Sequence, residues 1–191
     1  MDSDTERMVE ILNKIDDVLH CQRCDLALSR TNVVVGSGPL DAKIMLIGEA
    51  PGKNEDKKGM PFVGSAGKNL DKLLEEGGVR RENVYITNMV KCRPPENRTP
   101  KPDEIQACHL YLQKQIETIK PSGVILLGKT AAEAILGRKV EMGKEHGTIV
   151  EKDGTRYMIM YHPAAMIYKR TLKDTITADF KNIHELSVLD H

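Results

Sequence analysis

The sequence predicts an α/β domain: a three-layer α/β/α sandwich around a central four-stranded parallel sheet. Three observations carry that prediction. Four short runs rich in Val, Ile and Leu, at Ile44 to Ile47, Val84 to Thr87, Val124 to Leu127 and Tyr157 to Tyr161, have the length of strands buried on both faces. Helical patterns stand between them, so strand and helix alternate and the sheet is parallel. Each run also ends in a polar or glycine-rich turn, the place where such sheets bind ligands. At 191 residues the chain has the length of one domain, residues 1–191.

Taken in order, residues 4–19 read as a helix, because Met8, Ile11, Leu12, Ile15, Val18 and Leu19 recur at three- and four-residue intervals. That helix leads into Cys21-Gln22-Arg23-Cys24 and a short edge strand at Val33 to Val35. The first core strand breaks into Gly48-Glu49-Ala50-Pro51-Gly52, a tight turn whose backbone N–H groups can converge on an anionic or carbonyl-bearing ligand. A polar loop with one aromatic, Phe62, follows. Gly64-Ser65-Ala66-Gly67 then opens an amphipathic helix carrying Leu70, Leu73 and Leu74, so a helix N-terminus points back at the turn. The second strand ends at Asn88. A proline-rich loop, Arg93 to Pro102, precedes a helix from Asp103 to Ile119. The third strand ends at Gly128 and feeds a helix from Thr130 to Leu136. The fourth ends at His162-Pro163, and a last helix covers about 174–186.

The strand ends therefore carry a carboxylate, an amide and an imidazole: Glu49, Asn88 and His162. Net charge is zero, yet segments 48–68, 91–101 and 166–173 hold eleven Lys or Arg against four Asp or Glu. Those segments follow the strand ends, so positive charge is expected around the crevice. No apolar run approaches the roughly 20 residues of a membrane span. The acidic N-terminus is unlike the basic start of a signal peptide, so a cytoplasmic protein is expected.

In a reducing compartment the four cysteines, Cys21, Cys24, Cys92 and Cys108, are poor disulfide candidates. A C-x2-C step joined by a distant pair can complete a four-thiolate site. By spacing alone an iron-sulfur cluster and a structural zinc rank nearly equal, ahead of four free thiols.

Gly48-Glu49-Ala50-Pro51-Gly52, Pro61-Phe62-Val63-Gly64, Thr87-Asn88-Met89-Val90-Lys91-Cys92-Arg93-Pro94-Pro95, the four cysteines and His162-Pro163 stand in an order and spacing that resemble the family 4 uracil-DNA glycosylases, the iron-sulfur branch of their superfamily. The resemblance runs from about Cys21 to the last helix. It implies a [4Fe-4S] cluster on Cys21, Cys24, Cys92 and Cys108, formed by the N-terminal segment and the 92–108 loop. It implies hydrolysis of the N-glycosidic bond of deoxyuridine in DNA by a monofunctional repair enzyme. The uracil pocket it implies comprises Gly48, Glu49, Ala50, Phe62, Asn88 and His162. Glu49 and His162 would be catalytic, and Glu55 a second candidate acid.

Ser65, Lys91, Arg93, Met166, Lys169 and Arg170 are the expected DNA contacts, with Arg98 and Lys101 extending the basic track. Apolar side chains of the 164–170 segment would wedge into the vacated stack. A monomer is expected, with replication or repair proteins as further partners. Two alternatives use the same parts: a non-catalytic iron-sulfur protein that binds lesions, and an electron-transfer protein. Glu49 with His162 argues against the first, and Asn88 with the basic loops against the second.

Overall fold

A computed structural model describes residues 1–186. The strands are β1 (Ile44–Gly48), β2 (Val84–Asn88), β3 (Gly123–Leu127), β4 (Ile149–Lys152) and β5 (Thr155–Met160), in the sheet order β2-β1-β3-β5-β4. β2, β1, β3 and β5 are parallel, as predicted, and β4 adds a fifth, antiparallel edge. Its hairpin turns through Asp153 and Gly154, both at positive φ. An Asp-Gly pair between two alternating segments is a strong hairpin signal, and it is what makes four strands five.

The helices are α1 (Ser3–Leu12), α2 (Lys53–Lys58), α3 (Ser65–Glu76), α4 (Pro102–Ile119), α5 (Lys129–Leu136), α6 (Met142–Glu145), α7 (Ala165–Tyr168) and α8 (Lys173–Phe180). Alternation along the strands divides the core into two layers. Met45, Ile47, Tyr85, Val124, Leu126 and Ile159 join Met8 and Leu12 of α1, Leu112 of α4 and Ala132 of α5. Leu46, Ile86, Ile125 and Met158 face the other way, onto Leu70, Leu73 and Leu74 of α3 and Ile176 and Phe180 of α8.

Three sequence expectations change. The first helix stops at Leu12 instead of continuing to 19, because the Asn13 amide oxygen accepts the Val18 backbone N–H at 3.0 Å and folds the chain back. Val18 still reaches the same core, which is why the apolar spacing runs on. Val33 to Val35 are buried but form no strand; the nearest pairing is an isolated bridge from Ser37 to Ile86. The last helix ends at Phe180 and is followed by a separate 3-10 turn, Ile183–Leu186. No helix among the described residues is long and apolar enough to cross a membrane.

Parallel register sets the site. Gly48 pairs with Asn88, and Leu127 with Met160, so the carboxyl ends of β1, β2, β3 and β5 lie along one edge of the sheet.

Candidate active site

A cleft of about 570 Å³ opens at that edge, large enough for one nucleotide unit. Glu49, Ala50, Phe62, Asn88 and His162 line it, so the three strand-end groups anticipated from sequence do converge. Gly48 lies behind the wall. A Cβ there would sit 2.5 Å from Asn88 Oδ1 and 2.8 Å from Phe62 Cζ, so only glycine lets the amide and the ring come together.

Asn88 is buried, and its Oδ1 has no hydrogen-bond partner. An unpaired buried amide oxygen costs about 1 to 3 kcal/mol, which a ligand N–H would recover.

Phe62 stacks on His162, with ring centroids 5.5 Å apart and planes at 27°. Its φ of 50° is rare for a bulky residue. The surrounding contacts hold it there. Arg81 donates to the carbonyls of Phe62 (2.9 Å) and Pro61 (2.8 Å) while pairing with Asp71 at 2.7 Å. A Cβ at Gly67 would lie 1.9 Å from the Phe62 carbonyl oxygen, so α3 approaches that close only with glycine in its first turn.

His162 keeps part of its surface open to the cleft while protein atoms enclose the ring. Burial lowers its pKa to about 4, the nearby Glu55 carboxylate acting weakly the other way. The imidazole is therefore neutral near pH 7. The Ala164 backbone N–H donates to Nδ1 at 3.1 Å, which assigns the ring proton to Nε2.

Of the two acids, Glu49 follows β1 directly and is half-buried on the cleft wall. Glu55 is engaged elsewhere. Its Oε1 accepts from Gly52 N (3.1 Å), and its Oε2 from Val63 N (2.9 Å) and Gly64 N (2.7 Å). Through these three backbone donors it braces the turn after β1 against the Phe62 loop.

On the opposite side of the turn after β2, all four cysteines line a second cavity with Val18, Leu26, Arg30, Lys91 and Tyr111. Arg30 Nη1 bonds the Cys21 carbonyl at 2.7 Å and lies 3.5 Å from Cys92 Sγ. Burial pushes the Cys92 thiol up to about 12 and raises Cys24 and Cys108 as well. The Tyr111 hydroxyl is buried there beside the Cys21 thiol. Four thiols lining one cavity beside a guanidinium have the donor chemistry of a centre with sulfur ligands.

A family model for the uracil DNA glycosylase superfamily matches residues 35–182. The chain belongs to that superfamily. It is 43% identical over 180 residues to a type-4 uracil-DNA glycosylase of Archaeoglobus fulgidus, covering 90% of each chain. To a type-4 uracil-DNA glycosylase of Thermotoga maritima it is 47% identical over 168 residues, covering 87% of this chain and 86% of the relative. A type-5 uracil-DNA glycosylase of Pyrobaculum aerophilum is more distant, at 35% identity over 147 residues, covering 68% and 64%.

The DNA contacts anticipated for a superfamily member are redistributed by the structure. Lys91 is 1% exposed and its Nζ bonds Thr87 Oγ1 (2.6 Å) and the Asn88 carbonyl (2.9 Å), so it cannot reach a phosphate. Arg98 is held by both Glu104 oxygens, at 2.9 and 2.7 Å, although it borders the cleft. Arg93 donates to Asn97 Oδ1 at 2.7 Å. Met166 packs against the α3 and α8 core layer, whereas Ile167 and Tyr168, 47% and 83% exposed, border the cleft. Ser65 is exposed on the cleft rim, and Lys169 and Arg170 are exposed just beyond Tyr168. Sequence reasoning also missed Gly128, Lys129 and Thr130, which line the cleft at the start of α5. The signal was present: a glycine at φ 96° between a strand and a helix brings the first turn of α5 to the sheet edge.

Proposed function

We propose that this protein is a uracil-DNA glycosylase that extrudes deoxyuridine from DNA and hydrolyses its C1′–N1 bond, leaving free uracil and an abasic site. The single observation that carries this reading is the buried, unpaired Asn88 oxygen beside the Phe62–His162 stack. Uracil presents an N3–H donor and an O4 acceptor side by side, the complement of a side-chain amide. Asn88 Oδ1 accepts from N3–H while its Nδ2 donates to O4. With the amide in this orientation, cytosine would set its N3 lone pair against the buried Oδ1 and leave that oxygen unpaired.

Phe62 supplies the stacking surface for the flipped base. As the C1′–N1 bond breaks, its electron pair moves onto the base and negative charge collects at O2. The His162 Nε2–H, fixed by the Ala164 contact, is aimed at that charge. A neutral donor held ready for developing charge stabilises the transition state more than the bound substrate. Glu49 faces the sugar as it becomes cationic. It orients the water that adds to C1′ and accepts its proton. A lesion-binding protein would need Asn88 and Phe62 but not this donor.

The four cysteines are read as ligands of one [4Fe-4S] cluster. All four cysteines border one cavity, and Arg30 Nη1 lies 3.5 Å from Cys92 Sγ. The order and spacing of the motifs, which resemble the iron-sulfur branch of the superfamily, favour a cluster over zinc. The cluster's chemistry would be to bind the thiolates and tie the N-terminal segment to the loop after β2. Cys21, Cys24, Cys92 and Cys108 would release their protons on assembly. Cleft and cysteine cavity then belong to a single domain.

The test is a labelled oligonucleotide with one deoxyuridine, treated with mild alkali after incubation, alongside thymine and cytosine controls. Cleavage confined to the uracil strand is expected. Retained DNA binding without cleavage would overturn the enzymatic reading.

A further inference from the structure

The cleft and the cysteine cavity share one short piece of chain, Asn88 to Cys92. Asn88 forms the cleft wall and Cys92 the cavity wall. Between them stands Lys91. It lines the cysteine cavity, and its amide N–H is directed at the Cys108 sulfur. Its ammonium turns back to bond the Asn88 carbonyl at 2.9 Å and Thr87 Oγ1 at 2.6 Å. Thr87 Oγ1 in turn donates to the Val35 carbonyl at 2.8 Å, where Gln115 Nε2 also donates at 2.9 Å.

A lone ammonium at this depth is costly to bury unless negative charge lies close by. Among its immediate partners, Thr87 and the Asn88 carbonyl are neutral. The charges that act on it are those of Cys108 and Cys92, and Arg23 and Arg30 are further cations at that cavity. Thiolates bound to iron would supply the missing charge. Asn88, meanwhile, lacks any partner for Oδ1, so its side-chain placement rests on its backbone, the close approach of Gly48 and the Phe62 ring.

We propose that Lys91 is a positioning residue for uracil recognition, its ammonium anchoring the Asn88 backbone to the cysteine site so that the assembled site fixes the base-reading amide. The inference rests on the uracil reading given above. It assigns Lys91 no contact with DNA or with the base. Its function is to keep Asn88 Oδ1 in register with N3–H at the level of tenths of an ångström, through one charge-assisted hydrogen bond.

Lys91→Met keeps the length and apolar stem of the side chain and removes the charge. The holo-protein carrying it should retain the visible absorbance of the iron site and wild-type affinity for undamaged DNA. Inhibition by free uracil should weaken about tenfold, the scale of one hydrogen bond to a charged group, and KM for uracil-containing DNA should rise. Lys91→Arg should restore part of the loss. Thr87→Val, which removes one ammonium acceptor without touching the cavity wall, should give a smaller change in the same direction.

Unchanged uracil inhibition in a folded, iron-loaded Lys91→Met protein would overturn the proposal. So would a Lys91→Met protein that cannot hold iron while Thr87→Val behaves as wild type, because Lys91 would then serve the cysteine site alone. If the wild-type protein releases no uracil, the functional reading fails first, and the two failures are thereby distinguished.

Discussion

The two cavities flanking the turn after β2 are built on opposite principles. The cleft is wide and polar at its rim, and its key groups face a ligand: the unpaired Asn88 oxygen, the Nε2–H of a neutral His162 and the Glu49 carboxylate. The cysteine cavity is narrow and largely apolar, with thiols whose burial opposes ionisation. A site for a ligand that comes and goes must hold its donors in place without satisfying them. A site for a permanent charged centre can rely on that centre to ionise its ligands and complete the local fold. Damage to the cleft should therefore slow turnover with little loss of stability, and damage to the cavity should do the reverse.

The largest effect that could break this contrast lies at the cysteines. Cys92→Ala, or iron removal by a chelator, should lower Tm by about 10 °C, as expected for loss of several kcal/mol in a domain of this size. A melting scan with the visible absorbance followed in parallel checks it. An unchanged Tm would mean that the cavity does not staple the N-terminal segment.

Next comes His162→Ala, which removes the donor aimed at O2 and should lower kcat about 10²- to 10³-fold while Tm moves little. The pH profile sharpens the same point. With a pKa near 4, His162 stays neutral from pH 8 to 5, so its own titration should not depress kcat/KM until the pH approaches 4. For stability the sign is fixed by linkage. The unfolded chain, with the ordinary value of 6.5, binds more protons between pH 6.5 and 4. This contribution to stability is therefore full above 6.5 and is lost as pH falls toward 4.

Gly48→Ala tests whether the cleft depends on backbone approach. Its Cβ would meet Asn88 Oδ1 at 2.5 Å and displace the amide or the Phe62 ring. Single-turnover rates should fall about 10²-fold, the cost of misplacing a positioned group by roughly 1 Å. The smallest effects belong to Lys169→Ala and Arg170→Ala, exposed cations beside the cleft. Each should weaken DNA binding modestly and reduce the slope of log affinity against log salt by about 1, as filter binding across a salt series would record.

Much of the site was legible in the chain because parallel strands end where their apolar runs end. Ile44 to Ile47, Val84 to Thr87 and Tyr157 to Tyr161 point to Glu49, Asn88 and His162 without any coordinates, and β2 beside β1 then brings Gly48 level with Asn88. The basic track was less legible. Lys91, Arg93 and Arg98 look alike in sequence, yet one is buried, one bonds Asn97 and one is gripped by Glu104. Glu55 reads as a free loop acid until the N–H groups of Gly52, Val63 and Gly64 are found around it. Ile167 and Tyr168, not Met166, face the cleft because the short helix α7 turns Met166 into the core.

The sequence by itself determined the order of the four parallel strands and the longer helices between them, the polar groups at the strand ends and the two pairs of cysteines, since local periodicity and turn chemistry act within a few residues. The tertiary structure alone decided the protonation state of His162, the bracing role of Glu55 and the burial of Lys91. Each depends on which groups from distant parts of the chain close around a side chain, and on how much water they leave there.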